Sequence, residues 1–214
     1  MYAYEPAASI CDYNGKLLFY TNGETVFNAK HDTMDGGKNL LGCYSSTQGA
    51  LIVPYPGKSN LYYLFTSDCY GFQNNDGTPR INGFRYNIID MSFNNGLGKV
   101  VKKNVLLFVP TTTEQLTAVT KANGYDFWVI THELNSDRFI TYSIDCNGLD
   151  TIPKFQSIGS VFDNKNYSHG IGSIKFTNNG NRFVIVGGHI NDLYEFDNSN
   201  ANIYNLINLP PDTS

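Results

Sequence analysis

Seven Asn-Gly dipeptides punctuate this chain, at Asn14-Gly15, Asn22-Gly23, Asn82-Gly83, Asn95-Gly96, Asn123-Gly124, Asn147-Gly148 and Asn179-Gly180. With 26 Asn and 20 Gly in 214 residues, random order would supply only about two or three such pairs. A two-residue type I′ turn needs positive φ at both central positions, and Asn followed by Gly meets that need at least steric cost. Several of the pairs separate apolar or aromatic runs, the strongest short-range hairpin signal a sequence carries. The chain is therefore expected to be built from repeated β-hairpins joined by type I′ turns.

The polar surface of such a protein must come from somewhere, and here it is Asn, Ser and Thr. Charged residues make up only 16% of the chain, too few for solvated helix faces, whereas 15 Tyr and 14 Phe supply strand-forming bulk. A length of 214 residues can bury a large core within one all-β domain, and this aromatic content argues against disorder. A net charge of −4 gives no reason to expect nucleic acid; Lys102-Lys103 reads as a solvated strand face. No apolar run is long enough to span a membrane, and no signal peptide is visible. Cys11, Cys43, Cys69 and Cys146 show no C-x-x-C spacing and read as small core or turn residues rather than disulfides.

Apolar strand, turn and second strand recur along the chain. The first strands are expected at Ala8–Cys11, Ala50–Val53, Leu116–Val119 and Gly172–Phe176. Three of the turns that follow are Asn14-Gly15, Asn123-Gly124 and Asn179-Gly180, and the second unit has Pro56-Gly57-Lys58-Ser59 in their place. Third strands are expected at Thr25–Asn28, Gly83–Asp90, Phe139–Ile144 and Asp192–Phe196, with further strands at Lys99–Phe108 and Ala201–Leu209. Residues 29–48 read as a long loop. Repeats of this size with three or four strands each are the signature of propeller blades. The fold expected is an all-β, β-propeller-like single domain with units near 1–49, 50–115, 116–171 and 172–214, a β-sandwich being the alternative. Asp12, Asp76 and Asp145, beside turns, are expected to cap them through Asx-turns.

The segments Ala8-Ser9-Ile10-Cys11-Asp12-Tyr13-Asn14-Gly15-Lys16-Leu17-Leu18-Phe19-Tyr20-Thr21-Asn22-Gly23, Ser45-Ser46-Thr47-Gln48-Gly49-Ala50-Leu51-Ile52-Val53-Pro54 and Asp126-Phe127-Trp128-Val129-Ile130-Thr131-His132 carry a family likeness. They resemble the N-terminal propeller region of large secreted or surface proteins of Bacteroidetes, which often continue into PKD or Ig-like repeats and a gliding-motility or type IX secretion domain. The resemblance runs through most of residues 5–209. It implies a WD40/YVTN-like β-propeller displayed outside the cell, and it transfers no activity. Relative to that pattern the chain begins almost at the first hairpin and stops at Leu209-Pro210-Pro211, which suggests a partial propeller of about four blades with open edges for self-association.

The chemistry-bearing residues are few. His31, His132, His169 and His189 form no H-x-H or H-E-x-x-H motif, so no metal and no cofactor are expected. His132-Glu133 follows the strand carrying Trp128, at a strand end where propellers bind ligands; a hydrogen-bonded structural histidine is the plainer reading. Glycoside hydrolysis would need two carboxylates about 5 Å or about 6.5–9.5 Å apart, and most Asp residues here sit beside turns. The loops Asn74–Gly77 and Asp163–Asn166 lack EF-hand spacing. Aromatics in loops offer flat contact area for proteins or sugars. The candidate ligand-binding residues are therefore Tyr44, Tyr70, Phe72, Trp128, His132 and Glu133. The function expected is non-catalytic binding of protein or glycan at the cell surface, with a structural scaffold as the alternative and a glycoside-active enzyme after that.

Overall fold

The computed structural model describes residues 5–69, 71, 73–74, 76–78, 80–109, 111–163 and 169–210. The fold is all-β, four antiparallel sheets of the β-propeller class, and the chain separates into two compact units, Met1–Thr111 and Thr112–Ser214. Strands within three of the sheets follow one another in simple up-and-down order, without the Greek-key crossings of a sandwich.

In the first unit, β1 (Ala8–Cys11), β2 (Leu17–Thr21) and β3 (Val26–Asn28) form one sheet. The second consists of β4 (Ala50–Pro54), β5 (Leu61–Thr66), β6 (Phe84–Asp90) and β7 (Lys99–Phe108). The leading strands β1 and β4 lie against each other. Between the sheets sits a core of Phe19, Val26, Met34, Leu40, Leu64, Ile89, Met91 and Val100. Phe19 is wholly buried, which alone is worth about 2–3 kcal/mol of apolar transfer.

The segment 29–48 is less passive than a surface loop. Val26 N donates to Gly37 O and Met34 N to Val26 O, so the segment runs along the outer edge of β3. On its other side Asp35 bridges to Lys99 in parallel, Leu41 N donates to Asn104 Oδ1 and Asn104 Nδ2 to Asn39 O. It therefore buttons the outer edge of the first sheet onto β7. Met34 and Leu40 pin it into the core, which is why a stretch without strand periodicity is nonetheless fixed.

In the second unit, β8 (Thr112–Thr120), β9 (Phe127–Glu133) and β10 (Ser136–Asp145) form the body of one sheet. Its outer edge is shared by the short β11 (Gly148–Leu149) and by β12 (Lys154–Phe162), both paired with β10. The last sheet is β13 (Gly172–Phe176), β14 (Arg182–Gly187), β15 (Ile190–Asp197) and β16 (Asn202–Asn208). Again the leading strands, β8 and β13, meet. The core is aromatic: Phe139 packs edge-on against Phe183 at 5.5 Å and against Tyr194 at 5.3 Å, the geometry aromatic quadrupoles prefer. Strand β12, which the sequence pattern does not predict, takes the role that 29–48 plays in the first unit. Gln156 trades both hydrogen bonds with the backbone of Ile203, and Lys154 Nζ donates to Asn200 O at 3.1 Å and Ala201 O at 2.9 Å.

The Asn-Gly pairs do make turns, but the expected type I′ geometry is wrong at six of seven. Only at Asn95-Gly96, inside a 3-10 turn between β6 and β7, is φ positive at both residues (55° and 85°). Elsewhere the Gly alone takes positive φ. The turns between first and second strands share one design: Gly15 N donates to Asp12 O, Gly124 N to Lys121 O and Gly180 N to Thr177 O, each at 2.9–3.0 Å. The bracketing bonds Asp12 N to Lys16 O, Lys121 N to Asp126 O and Thr177 N to Arg182 O enclose three, four and four residues, so these turns are one or two residues longer than a two-residue hairpin, with the Gly in the left-handed region. In the second sheet Pro56 and Gly57 (φ 73°) form the turn closed by Lys58 N to Tyr55 O, with Pro before a left-handed Gly as a type II turn requires. The Asx-turns are as expected: Asp12, Asp76 and Asp145 accept from the amides of Asn14, Thr78 and Asn147 at 2.9, 3.0 and 2.7 Å.

The cysteine reading needs correction for one pair. Cys43 and Cys69 form a disulfide across 26 residues, both buried. Their pairing depends on the return of segment 29–48 to the end of β5, a tertiary event with no spacing signature. Cys11 and Cys146 are unpaired and exposed beside their turns.

Candidate functional site

Strand β9 is the middle of its sheet, with β8 on one side and β10 on the other. Four consecutive residues, Val129, Ile130, Thr131 and His132, are therefore buried whichever face they point to. His132 occupies a core position. Its ring lies edge-on to Phe139 at 4.6 Å and tilted against Phe162 at 4.7 Å. Nδ1 lies 2.9 Å from Glu133 O, and Nε2 has no hydrogen-bond partner among the described residues. Burial drives its pKa down to about 4, outweighing the backbone hydrogen bond and the fields of Asp137 and Asp192, which favour the charged form.

Glu133, the next residue, points the other way. Its carboxylate takes a bidentate pair from Arg138 across the β9–β10 turn, Nε to Oε2 at 2.6 Å and Nη2 to Oε1 at 2.9 Å. The same guanidinium stacks over Phe155 at 4.5 Å. Trp128 is near the opposite end of β9, about 17 Å from Glu133 along the strand. Its Nε1 donates to Asn198 O at 2.9 Å, and Lys121 Nζ sits 4.2 Å from the ring. Tyr44 is half-buried in the first unit. Tyr70 and Phe72 lie outside the described residues. The sequence candidates thus do not converge: His132 and Glu133 are chain neighbours aimed apart, and Trp128 ties down the β15–β16 turn.

What the fold does bring together around His132 is a buried polar nest that sequence reasoning missed. Between Thr112, opposite Glu133, and Leu116, opposite Thr131, strand β8 carries extra residues in a bulge. Thr113, Glu114 and Gln115 are buried there. Gln115 Nε2 donates to His169 O at 3.3 Å and to Val186 O at 3.2 Å, and its Oε1 has no hydrogen-bond partner among the described residues. Gly187 makes this possible, because a Cβ there would stand 2.6 Å from His169 O, 2.7 Å from Gln115 Nε2 and 3.0 Å from Phe162. His169 in turn lies 3.2 Å from Asp163 Oδ1. Nearby in the sheet, Asp192 is a buried carboxylate satisfied by Ser160 N, Tyr194 OH and Asn208 Nδ2. The alternating pattern at Asp192, Tyr194 and Phe196 signalled an inward face, but nothing in it signalled the acid's partners.

The corresponding junction of the first unit, where β4 begins and β5 ends, is lined by hydroxyls. Ser46, Thr66 and Ser67 are buried, and none of the three hydroxyls has a hydrogen-bond partner among the described residues. Gly49 is the close-approach residue, a Cβ there meeting Ser46 Oγ at 2.0 Å. Asp68 beside them accepts from Arg80, with Nη2 at 2.9 Å, and from Asn82 N.

The exposed groups are elsewhere. Tyr13, in the β1–β2 turn, is 97% exposed, and Tyr125, in the β8–β9 turn, is 79% exposed. The open grooves are shallow, such as one of about 450 Å³ over Met34, Lys38 and Lys103 and one of about 740 Å³ at the turn Thr177–Arg182. Among the described residues no cluster of three His, Cys, Asp or Glu could hold a metal ion, and no helix is long and apolar enough to cross a membrane.

No protein-family model matches the chain, and no curated protein matches it. Among solved structures it is similar to the dihydro-heme d1 dehydrogenase NirN in complex with DHE, with a TM-score of 0.48 and 12% identity over 95% of this chain and 37% of that one. It is also similar to the β-propeller domain of Myceliophteria thermophila Cps50 (Swd1), with a TM-score of 0.32 and 13% identity over 95% of this chain and 73% of that one. The chain thus spans about 37% of the length of the first of these.

Proposed function

We propose that this chain is a propeller-type binding module that presents its turn tips to a protein or glycan outside the cell. The observation that carries the reading is the contrast in exposure. His132 and Glu133, the groups that could do chemistry, are consumed by the core and by Arg138, while Tyr13 and Tyr125 stand clear of the surface on the first hairpin of each unit. An exposed tyrosine on a hydrogen-bonded turn is a rigid, flat group with a polar edge, suited to stacking on a sugar ring or packing in a protein interface. The sequence resemblance to surface proteins of Bacteroidetes supports display outside the cell. The Cys43–Cys69 disulfide is consistent with an oxidising compartment.

The test is a glycan array and a pull-down from surface extracts, run with the wild type and with a Tyr13→Ala, Tyr125→Ala double variant. Binding by the wild type that weakens at least tenfold in the variant supports the reading. Silence in both assays favours a scaffold, a role consistent with turns whose polar groups are already satisfied internally.

A further inference from the structure

Asn-Gly is also the sequence most prone to cyclise. The Gly main-chain nitrogen attacks the Asn side-chain carbonyl carbon, the new C–N bond closes a five-membered succinimide, and the side-chain nitrogen leaves as ammonia. Water then opens the ring at either carbonyl, leaving Asp or isoaspartate. The reaction requires that the side chain swing over the following nitrogen and that the turn be able to deform. We propose that the fold sorts the seven pairs into two classes, making Asn14, Asn95 and Asn147 spontaneous deamidation sites and protecting Asn22, Asn82, Asn123 and Asn179.

The protected class is tethered. Asn22 is buried, and its Oδ1 accepts from Glu24 N at 3.1 Å and Thr25 N at 2.8 Å. Asn123 Oδ1 accepts from Tyr125 N and Asp126 N, both at 3.1 Å, while its Nδ2 donates to Asp126 Oδ2 at 2.7 Å. Asn179 Oδ1 accepts from Thr177 Oγ1 at 2.7 Å. Asn82 is held through its backbone, N to Asp68 Oδ2 at 2.5 Å and O from Arg85 Nε at 2.6 Å, and its Gly83 is packed against Phe108 O. Ring closure must first break the side-chain bonds at Asn22, Asn123 and Asn179; at Asn82 the backbone bonds and the packing of Gly83 keep the turn from deforming.

Asn14, Asn95 and Asn147 are exposed, and their side chains make no hydrogen bond among the described residues. A Cβ placed on Gly15 or Gly96 would meet nothing within 4 Å, and the same holds at Gly124, so room in the turn is common to both classes. The Gly N–H bonds do not separate the classes, since Gly15, Gly96, Gly124 and Gly180 all donate within their turns; the side-chain tether does so for Asn22, Asn123 and Asn179, and the backbone bonds with the close packing of Gly83 do so for Asn82. All three open sites lie in turns between adjacent strands, β1–β2, β6–β7 and β10–β11. Asn14 adjoins Tyr13, so conversion there places a negative charge and, as isoaspartate, an extra backbone carbon beside an exposed aromatic. Any effect on ligand binding rests on the reading proposed above.

The experiment is timed incubation of the folded protein in mildly alkaline buffer, followed by digestion and mass spectrometry of each Asn-Gly peptide for the one-dalton gain and for isoaspartate. The same series is run in urea. In the folded protein Asn14, Asn95 and Asn147 should convert at least tenfold faster than the other four, and in urea all seven should converge. Conversion of Asn22, Asn82, Asn123 or Asn179 at the rate of the open class in folded protein would overturn the proposal. So would open-class sites that stay intact while the unfolded chain converts. Comparing aged and fresh protein in the binding assays is a separate arm, and a null there leaves the site assignment standing.

Discussion

The two units solve the same junction with different chemistry. In each, the leading strands of two sheets meet, a connecting segment buttons the outer edge of the first sheet onto the second, and a glycine permits close approach where the second sheet begins its hairpin. The first unit uses an irregular segment, 29–48, locked by backbone hydrogen bonds and the Cys43–Cys69 disulfide, over three buried hydroxyls. The second uses a regular strand, β12, locked by Gln156 and Lys154 side chains, over a buried imidazole and amide. The irregular segment adds a covalent tie to its hydrogen bonds and core contacts, whereas β12 is held by its ladder to β10 and by side-chain bonds. The difference makes one unit sensitive to reduction and the other to acid.

Breaking the disulfide should have the largest effect. Closing a loop of 26 residues is worth about 3–4 kcal/mol of denatured-state entropy, so a Cys43→Ala, Cys69→Ala variant should lose about that much in the first unit. Hydrogen exchange resolved by segment should show deprotection in residues 29–48 and little change in β8–β16.

Acid should act on the other side. Unfolded, His132 takes its proton near pH 6.5; folded, only near pH 4. Between those values the unfolded state binds more protons, so stability falls as pH drops through the window and levels off below it, by about 3 kcal/mol in all. Trp128 is the sole tryptophan and belongs to the second unit, so urea unfolding followed by its fluorescence at several pH values reads that unit. His132→Phe should flatten the slope; an unchanged slope would reject His132 as its source.

The junction glycines come next. Gly187→Ala drives a methyl into His169 O and Gln115, and Gly49→Ala drives one into Ser46 Oγ, each costing about 1–3 kcal/mol. Chemical denaturation should show the loss, with exchange confined to the unit that carries the change. Smallest is Arg138→Gln. The pair with Glu133 is partly exposed, so solvent screening holds the loss to about 1 kcal/mol or less, measurable as a small shift of the Trp128 transition.

Much of the architecture was legible because it is local. Aromatic runs around Asn14-Gly15, Asn123-Gly124 and Asn179-Gly180 determine strand, turn and strand within about twenty residues, and Asx-turns at Asp12, Asp76 and Asp145 need only their own neighbours. Where local evidence was weak the reading slipped. Lys154–Phe162 mixes Lys, Gln, Ser and Gly, so β12 went unseen, and β8 starts at Thr112 rather than Leu116 because its first residues are polar yet buried. The turn type also escaped, since Asn-Gly serves a two-residue turn and a longer Gly-closed turn equally well. The candidate site was the least legible: Trp128, His132 and Glu133 share a strand, but strand alternation says nothing of which face meets a phenyl ring and which meets an arginine.

By itself, then, the amino-acid sequence determined a chain of hairpins with aromatic faces, because hairpin formation depends on backbone φ and on side-chain alternation over a few residues. Only tertiary structure decided the rest: that Cys43 finds Cys69, that Gln115 reaches His169 and Val186, that His132 is a core residue, and which of seven identical dipeptides are held. Those outcomes depend on contacts between segments up to 71 residues apart, and no local pattern encodes them.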